Sequence, residues 1–375
     1  MTPGDDPGEP ASESQQELAR QASKIFETPK LSPLQILVRA VLVAVLLYLI
    51  FGVLIPNFAD YDEVWEAITS LSAAGIVLMI VLTLTIELLK AAAPSLLIDD
   101  LRLGQAFVTQ GAAATVSNTI PGPSGVITKY AIYRRFGIDF IDFSRASVMN
   151  GVWSNLVALI LPSIAMLLLA TQEAIPHRVL AVTLLALCLS VVVVAIGVCI
   201  IRSERFARRF GELTGQLINW MRGLVNRPPS EAVGEAVVRF RFDVLETARH
   251  RGLRLTALVV GKEFCTYLAL LVAVRSVDIE RFDLTAIEVF AAYTFVRLLT
   301  LVEITPGNVG IAETLYISTL SWATPETSNS GIVGAVFVFR MFTYLGPIIM
   351  GGGCWLWLRY YFRRHPTPTG ETVKA

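Results

Sequence analysis

The chain has 375 residues, 54% of them hydrophobic and 17% charged, and its Lys and Arg balance its Asp and Glu to a formal net charge of zero. Soluble domains carry about 25% charged residues, so the composition excludes an ordinary soluble domain, and the lack of a bulk basic field argues against nucleic acid as a partner. Cys188, Cys199, Cys265 and Cys354 all lie within or at the ends of apolar runs and form no C-x-x-C pair, which argues against disulfides and a metal site.

Residues 1–32 are rich in Pro, Gly, Ser, Asp, Glu and Gln, cannot bury a core and are predicted to be a disordered tail. A helix needs about 20 apolar residues to cross a bilayer. The first such run is 36–56, ended by Pro56. It is read as a retained span, because the polar stretch before it is too long for the n-region of a cleaved signal. The loop 57–66 carries Asp60, Asp62, Glu63 and Glu66 and no basic residue. A second span is predicted at 71–89, with Glu87 and Lys90 at its end and Asp99, Asp100 and Arg102 in the break beyond. The stretch 105–120 is apolar but rich in Ala, Ser, Thr and Gly. Pro121-Gly122-Pro123-Ser124-Gly125 interrupts it, and a short amphipathic piece, 126–136, follows with Lys129, Arg134 and Arg135. Spans resume at 148–170 and 179–201.

Residues 202–252 hold ten arginines and six acidic residues and read as an amphipathic helical pair at the membrane surface, broken at Pro228-Pro229. A span at 255–274 contains Lys262 and Glu263. An interrupted stretch, 285–323, breaks at Pro306-Gly307-Asn308-Val309-Gly310, and a last span covers 332–358. The organisation is thus a tail, a transmembrane body over 33–360 that includes the 202–252 insert, and a second tail, 361–375.

Lys and Arg collect on cytoplasmic loops. Arg20, Lys24 and Lys30 precede the first span and Arg39 lies in its first turn, Arg359, Arg363, Arg364 and Lys374 follow or close the last, and the insert is basic. Both termini are therefore expected in the cytoplasm, with the protein multi-pass in the plasma membrane. An offset of 185 residues carries Pro121-Gly122-x-x-Gly125 onto Pro306-Gly307-x-x-Gly310 and the spans of the first half close to those of the second. The charge rule gives the two halves opposite directions, which requires each broken stretch to be a re-entrant hairpin. The expected fold class is all-α, with six full spans and two hairpins in an inverted repeat, the first opening to the cytoplasm and the second outside. Broken helices in inverted repeats are a transporter signature, and irregular backbone at membrane depth survives only inside protein or beside a wet cavity. Two unrelated proline kinks in ordinary spans are the other reading.

The segments Thr119-Ile120-Pro121-Gly122-Pro123-Ser124-Gly125 and Ile304-Thr305-Pro306-Gly307-Asn308-Val309-Gly310-Ile311-Ala312-Glu313 resemble the glycine-rich motifs of the lysylphosphatidylglycerol synthase transmembrane family of flippase-like proteins. The resemblance covers roughly 36–360. It departs from the family at Val126, where the first motif often continues with Glu. Synthases of that family carry a soluble aminoacyl-transferring domain after the spans, and 17 residues follow Leu358 here. The resemblance therefore implies the lipid-translocating half alone, or a carrier for another lipid headgroup.

Ionisable residues within spans are costly and are candidates for function. Lys262 and Glu263, Arg297 and Glu303 before the second tip, Glu313 after it and Arg340 in the last span are assigned to a substrate site, together with Lys129 and Asn308. Pro121, Gly122, Gly125, Pro306, Gly307 and Gly310 are assigned to the hairpin tips. Arg297 with Arg340 is expected to hold a phosphate-bearing headgroup, with Glu313 orienting it or carrying a proton. Internal ion pairing that only fastens helices is the alternative. Glu87, Lys90 and Arg102 are placed nearer the interface, where long side chains snorkel cheaply. The function expected is movement of a polar-headgroup lipid or lipid-linked substrate across the bilayer, with no catalytic residue, cofactor or metal. His177, His250 and His365 fall in loops or the tail, and no H-E-x-x-H, G-x-S-x-G or P-loop spacing occurs. A membrane-embedded transferase using Asp99-Asp100 with a metal, and a scaffold recruiting a partner through 202–252, are the competing functions.

Overall fold

A computed structural model describes residues 71–120, 124–170, 249–276, 284–301, 305–321 and 329–365, with single positions at 69, 205 and 247. The predicted spans 36–56 and 179–201, the tail 1–32, all but the end of the 202–252 insert, Pro121, Gly122 and Glu303 lie outside the described residues.

Every element is helical, and no strand occurs among the described residues. Helix α1, Ala73–Leu97, starts where the Ser72 side chain accepts the Gly75 N–H at 3.1 Å. It does not stop near Leu89 as the sequence pattern suggested. Ala91, Ala92 and Ala93 carry it on, since Ala has the highest helix propensity, and one lost donor at Pro94 does not end it. Glu87 and Lys90 therefore sit two turns inside the helix. Helix α4, Phe140–Leu169, likewise begins before its expected start, where the Asp139 carboxylate accepts the Asp142 N–H at 2.8 Å. Helix α5 spans Gly252–Ser276. The last span is composite: α8, Asn329–Arg340, runs through a π-turn, Met341–Leu345, into α9, Gly346–Arg364. Pro347 has no N–H and its ring presses on the preceding turn, and the wider π-turn, in which the Gly346 N–H reaches the Met341 carbonyl, absorbs it. Four helical stretches, α1, α4, α5 and the composite 331–364, are long and apolar enough to cross a membrane. The chain is a polytopic helical membrane protein.

Between these spans lie two pairs of shorter helices. Helices α2, Leu103–Thr119, and α3, Ser124–Arg135, form the first. Helices α6, Ala286–Leu299, and α7, Ile311–Ser321, form the second, joined through a 3₁₀ turn at Pro306–Asn308. At about 1.5 Å per residue they are roughly 17–26 Å long, short of a bilayer core of about 30 Å. The first pair enters and leaves at one end of α1. Ser95 donates to the Leu101 carbonyl at 2.8 Å, and Ile98, Leu101, Tyr133, Ile138 and Phe143 share one buried cluster there. The second pair starts beside the end of α5, where Tyr267 donates to the Ala286 carbonyl at 3.0 Å and Arg275 to that of Leu284 at 2.9 Å.

Helices α1 and α5 pack antiparallel. A Cβ on Gly75 would lie 3.5 Å from Ser276, and one on Gly261 would lie 3.6 Å from Leu89. Helix α2 of the first half packs on α9 of the second, and α6 of the second half packs on α4 of the first. This exchange, with equivalent helices antiparallel, is what a two-fold axis across α1 and α5 produces. If α1 and α5 both cross the bilayer, the helix pairs after them enter from opposite faces. The α2–α9 contact is close enough to require small residues. A Cβ on Gly351 would stand 2.1 Å from the Thr115 hydroxyl and 2.2 Å from the Gly111 carbonyl. Thr115 and Trp355 fasten the crossing by donating to the Ile348 and Ala112 carbonyls at 3.1 and 3.0 Å.

Candidate functional site

The charged residues of the second half converge because α5, α6, α7 and α8 face one another around a cavity of about 260 Å³ that α1 and the Gly307-Asn308 tip also line. On α5, Lys262 Nζ stands 2.6 Å from Oε1 of its neighbour Glu263, whose carboxylate is 2% exposed. From α6, Arg297 Nε reaches the same oxygen at 3.2 Å, and the Tyr293 hydroxyl donates to the other. One buried carboxylate thus gathers two cations and a phenol. Burial of an ion this deep is sustained only by such partners.

At the tip, Gly307, Asn308 and Gly310 take φ of +58°, +52° and +83°, a left-handed backbone that Gly adopts freely and Asn tolerates. Glu313, in the first turn of α7, reaches back to accept the Gly310 N–H at 2.7 Å, a capping bond favoured by the helix dipole. Its other oxygen holds Arg340 Nε at 2.6 Å. Arg340 also donates to the Gly307 carbonyl at 2.8 Å and lies over the Tyr344 ring at 5.0 Å. Arg297 thus serves Glu263 while Glu313 serves Arg340, so the two carboxylates anchor two separate pairs.

The second tip meets the end of α2. The Tyr344 hydroxyl donates to the Asn118 carbonyl at the end of α2 at 2.7 Å, and a Cβ on Gly307 would stand 2.5 Å from the Tyr344 ring and 3.3 Å from Asn118 Oδ1. Gly125 departs from its assignment. It lies inside α3 without a left-handed φ, and its lack of a side chain admits Ser117, whose Cβ would be 2.7 Å from an added one. It lets the arms close and makes no turn.

Glu87 and Lys90, placed near the interface by the sequence reading, line the cavity. Glu87 is 1% exposed, pairs with Lys90 at 2.7 Å and accepts from Gln110 of α2 at 3.2 Å. The sequence misplaces them because two charges so close together look like the end of an apolar run, here at Leu89. Tyr293, Tyr344 and Gln110 carry no signal that separates a buried polar group from an interfacial one. Lys129 does not line the main cavity. It faces a smaller one, of about 140 Å³, with Gln110, Asn150 and Ser154, and Lys90 and Lys262 border both. Asp99 holds Arg251 at 2.5 Å on an exposed edge.

Among the described residues, Lys90, Lys262, Arg297 and Arg340 are set against Glu87, Glu263 and Glu313, an excess of one positive charge at the cavity. Such a site can hold a group with one negative charge without displacing every carboxylate. A family model described as the lysylphosphatidylglycerol synthase TM region matches residues 36–351. No curated protein matches the chain.

Proposed function

The chain belongs to the lysylphosphatidylglycerol synthase transmembrane family, and from that premise we propose that it translocates a lipid with a polar, phosphate-bearing headgroup between the leaflets of the plasma membrane, with both termini in the cytoplasm and no covalent step. The observation that carries the reading is the cavity itself. It is charged, lies where broken helices meet, and among the described residues sets four cations against three carboxylates. Cations that served only to fasten helices would each take a carboxylate, whereas Lys262 and Arg297 share Glu263 beside an open cavity. A phosphodiester carries one negative charge. It would sit between Arg340 and Arg297, with Lys262 and Lys90 beyond, while its acyl chains remained in lipid.

The test is headgroup accessibility in proteoliposomes. With a fluorescent headgroup in both leaflets and a membrane-impermeant quencher outside, the wild-type protein should expose the inner label, and Arg340→Gln should slow this about tenfold at equal protein content. Inner label protected alike in protein-containing and protein-free vesicles, for every phospholipid tried, refutes translocation. A protein that instead makes a new lipid product would support the membrane-transferase alternative.

A further inference from the structure

Six hydroxyl side chains line the main cavity: Thr83, Thr266, Tyr293, Thr300, Tyr316 and Thr343. Five of them give their proton to the protein. Thr266, Thr300 and Thr343 donate one turn back, to the Lys262, Val296 and Phe339 carbonyls, at 2.8, 2.8 and 2.7 Å. Thr83 donates to the Phe342 carbonyl at 3.3 Å, and Tyr293 to Glu263. The Tyr316 hydroxyl takes no acceptor among the described residues, although the residue is only 6% exposed. Asn308 Oδ1 is the one unpartnered side-chain atom there that is closed off from solvent, so the Tyr316 hydroxyl opens on the cavity it lines. A buried tyrosine hydroxyl ordinarily finds a partner, and this one finds none in the protein. Its setting is fixed. Tyr316 follows Glu313 by one turn on the same face of α7. Its ring stands edge-on to Phe339, the neighbour of Arg340, with 5.4 Å between centroids. The charges around it are those of Arg340, Arg297, Glu263 and Glu313.

We propose that the Tyr316 hydroxyl is a binding group of the site and donates to an oxygen of the oxyanion that rests between Arg297 and Arg340. The inference rests on the translocation reading for its ligand but concerns recognition, which is measured without transport. Lys and Arg donate and cannot accept, and Glu87, Glu263 and Glu313 already hold partners, so a group that fills the cavity must bring acceptors. A phosphodiester headgroup brings unesterified oxygens that share one negative charge, and free phosphate offers the same chemistry.

The experiment uses the full-length chain in uncharged detergent and reads binding by calorimetry. The probes are a short-chain phosphatidylglycerol, the matching diacylglycerol without its phosphate, and inorganic phosphate as competitor. Wild type should bind the phospholipid at least tenfold tighter than the diacylglycerol. Tyr316→Phe should weaken the phospholipid about tenfold, as loss of a hydrogen bond to a charged group does, and leave the diacylglycerol unchanged. The same variant breaks no hydrogen bond within the protein, so the thermal midpoint of the unliganded chain should hold or rise. Tyr293→Phe, which takes a donor from Glu263, should lower it. Displacement of the lipid by inorganic phosphate would show that the oxyanion alone is recognised, and lipid binding that phosphate does not displace would show that the ester is required; either upholds the proposal, provided Tyr316→Phe weakens the bound probe. Phospholipid affinity unchanged in Tyr316→Phe overturns it, as does a wild type that does not prefer the phospholipid, or a fall in the unliganded midpoint of Tyr316→Phe like that of Tyr293→Phe. Binding that depends on Tyr316 without translocation would retain this inference and refute the transport reading, and translocation with binding indifferent to Tyr316 would do the reverse.

Discussion

Glu263 shows what a single side chain does in this protein. Its carboxylate is nearly inaccessible and is the shared partner of Lys262, Arg297 and Tyr293. Removing one member of a buried pair leaves the other charge unpaired and costs about 3–5 kcal/mol. Glu263→Gln is therefore expected to lower the thermal midpoint in detergent markedly, and Arg297→Gln on that background should add little further loss. The same cycle run between Arg297 and Glu313 should show little coupling, because Glu313 is committed to Arg340 and the Gly310 N–H. Strong coupling there would mean that the two pairs act as one network. At this scale the sequence was informative wherever a charge interrupted an apolar run, as at Lys262, Glu263, Arg297, Glu313 and Arg340. It misled at Glu87 and Lys90, since a charge near the end of a run looks the same whether the helix stops there or continues through Ala91-Ala92-Ala93-Pro94. It was silent on the Tyr316 hydroxyl, because no pattern of residues shows whether a phenol finds its acceptor.

The helices owe their approach to glycines that differ sharply in what surrounds them. Gly351 faces the backbone of Gly111 at a distance that admits no Cβ, whereas Gly352 and Gly353 have nothing within 4 Å of theirs. Gly351→Ala should therefore push α9 off α2 and cut the yield of folded protein several-fold on size-exclusion chromatography, while Gly352→Ala and Gly353→Ala should be neutral. Equal loss in all three would mean that helix flexibility, not contact, sets their need. At the tip, Gly307→Ala meets both an unfavourable φ and the Tyr344 ring. It should abolish translocation with membrane insertion preserved, since the strain is local to the place where Gly307 meets Tyr344 and the end of α2. The P-G-x-x-G spacing announced the second tip, and the short arms around it, directly. It gave Gly125 the wrong task, because a glycine that turns the chain and one that admits a neighbour are the same letter. The π-turn after Arg340 was also not legible, although Gly346-Pro347 marks where it ends.

Over the whole molecule, the order of span, broken pair and span recurs, and the structure adds what order alone does not contain. Helices α1 and α5 are antiparallel, and each half lends a helix to the other through α2 on α9 and α6 on α4. The helix pairs should then open on opposite faces. With the native cysteines replaced, Asp100→Cys should react with an impermeant thiol reagent only from the cytoplasm and Ala286→Cys only from outside. Reaction of both from one side would contradict the inverted arrangement. The fold was readable at this level because hydropathy and loop charge are properties of long segments, whereas the convergence of Lys90, Lys262, Arg297 and Arg340 on one cavity depends on contacts between helices far apart in sequence.

On the proposed function a headgroup passes through that cavity. Thr266 lines it from α5 and donates to the Lys262 carbonyl one turn back, so its side chain can be exchanged without breaking a hydrogen bond to another helix. The direct measurement is the rate of headgroup translocation by Thr266→Cys in proteoliposomes, with the other cysteines replaced, before and after coupling a bulky thiol reagent. Transport should be near wild type before modification and fall at least tenfold after it, and recover when the adduct is reduced away. Transport unchanged by a completed modification would place the route elsewhere.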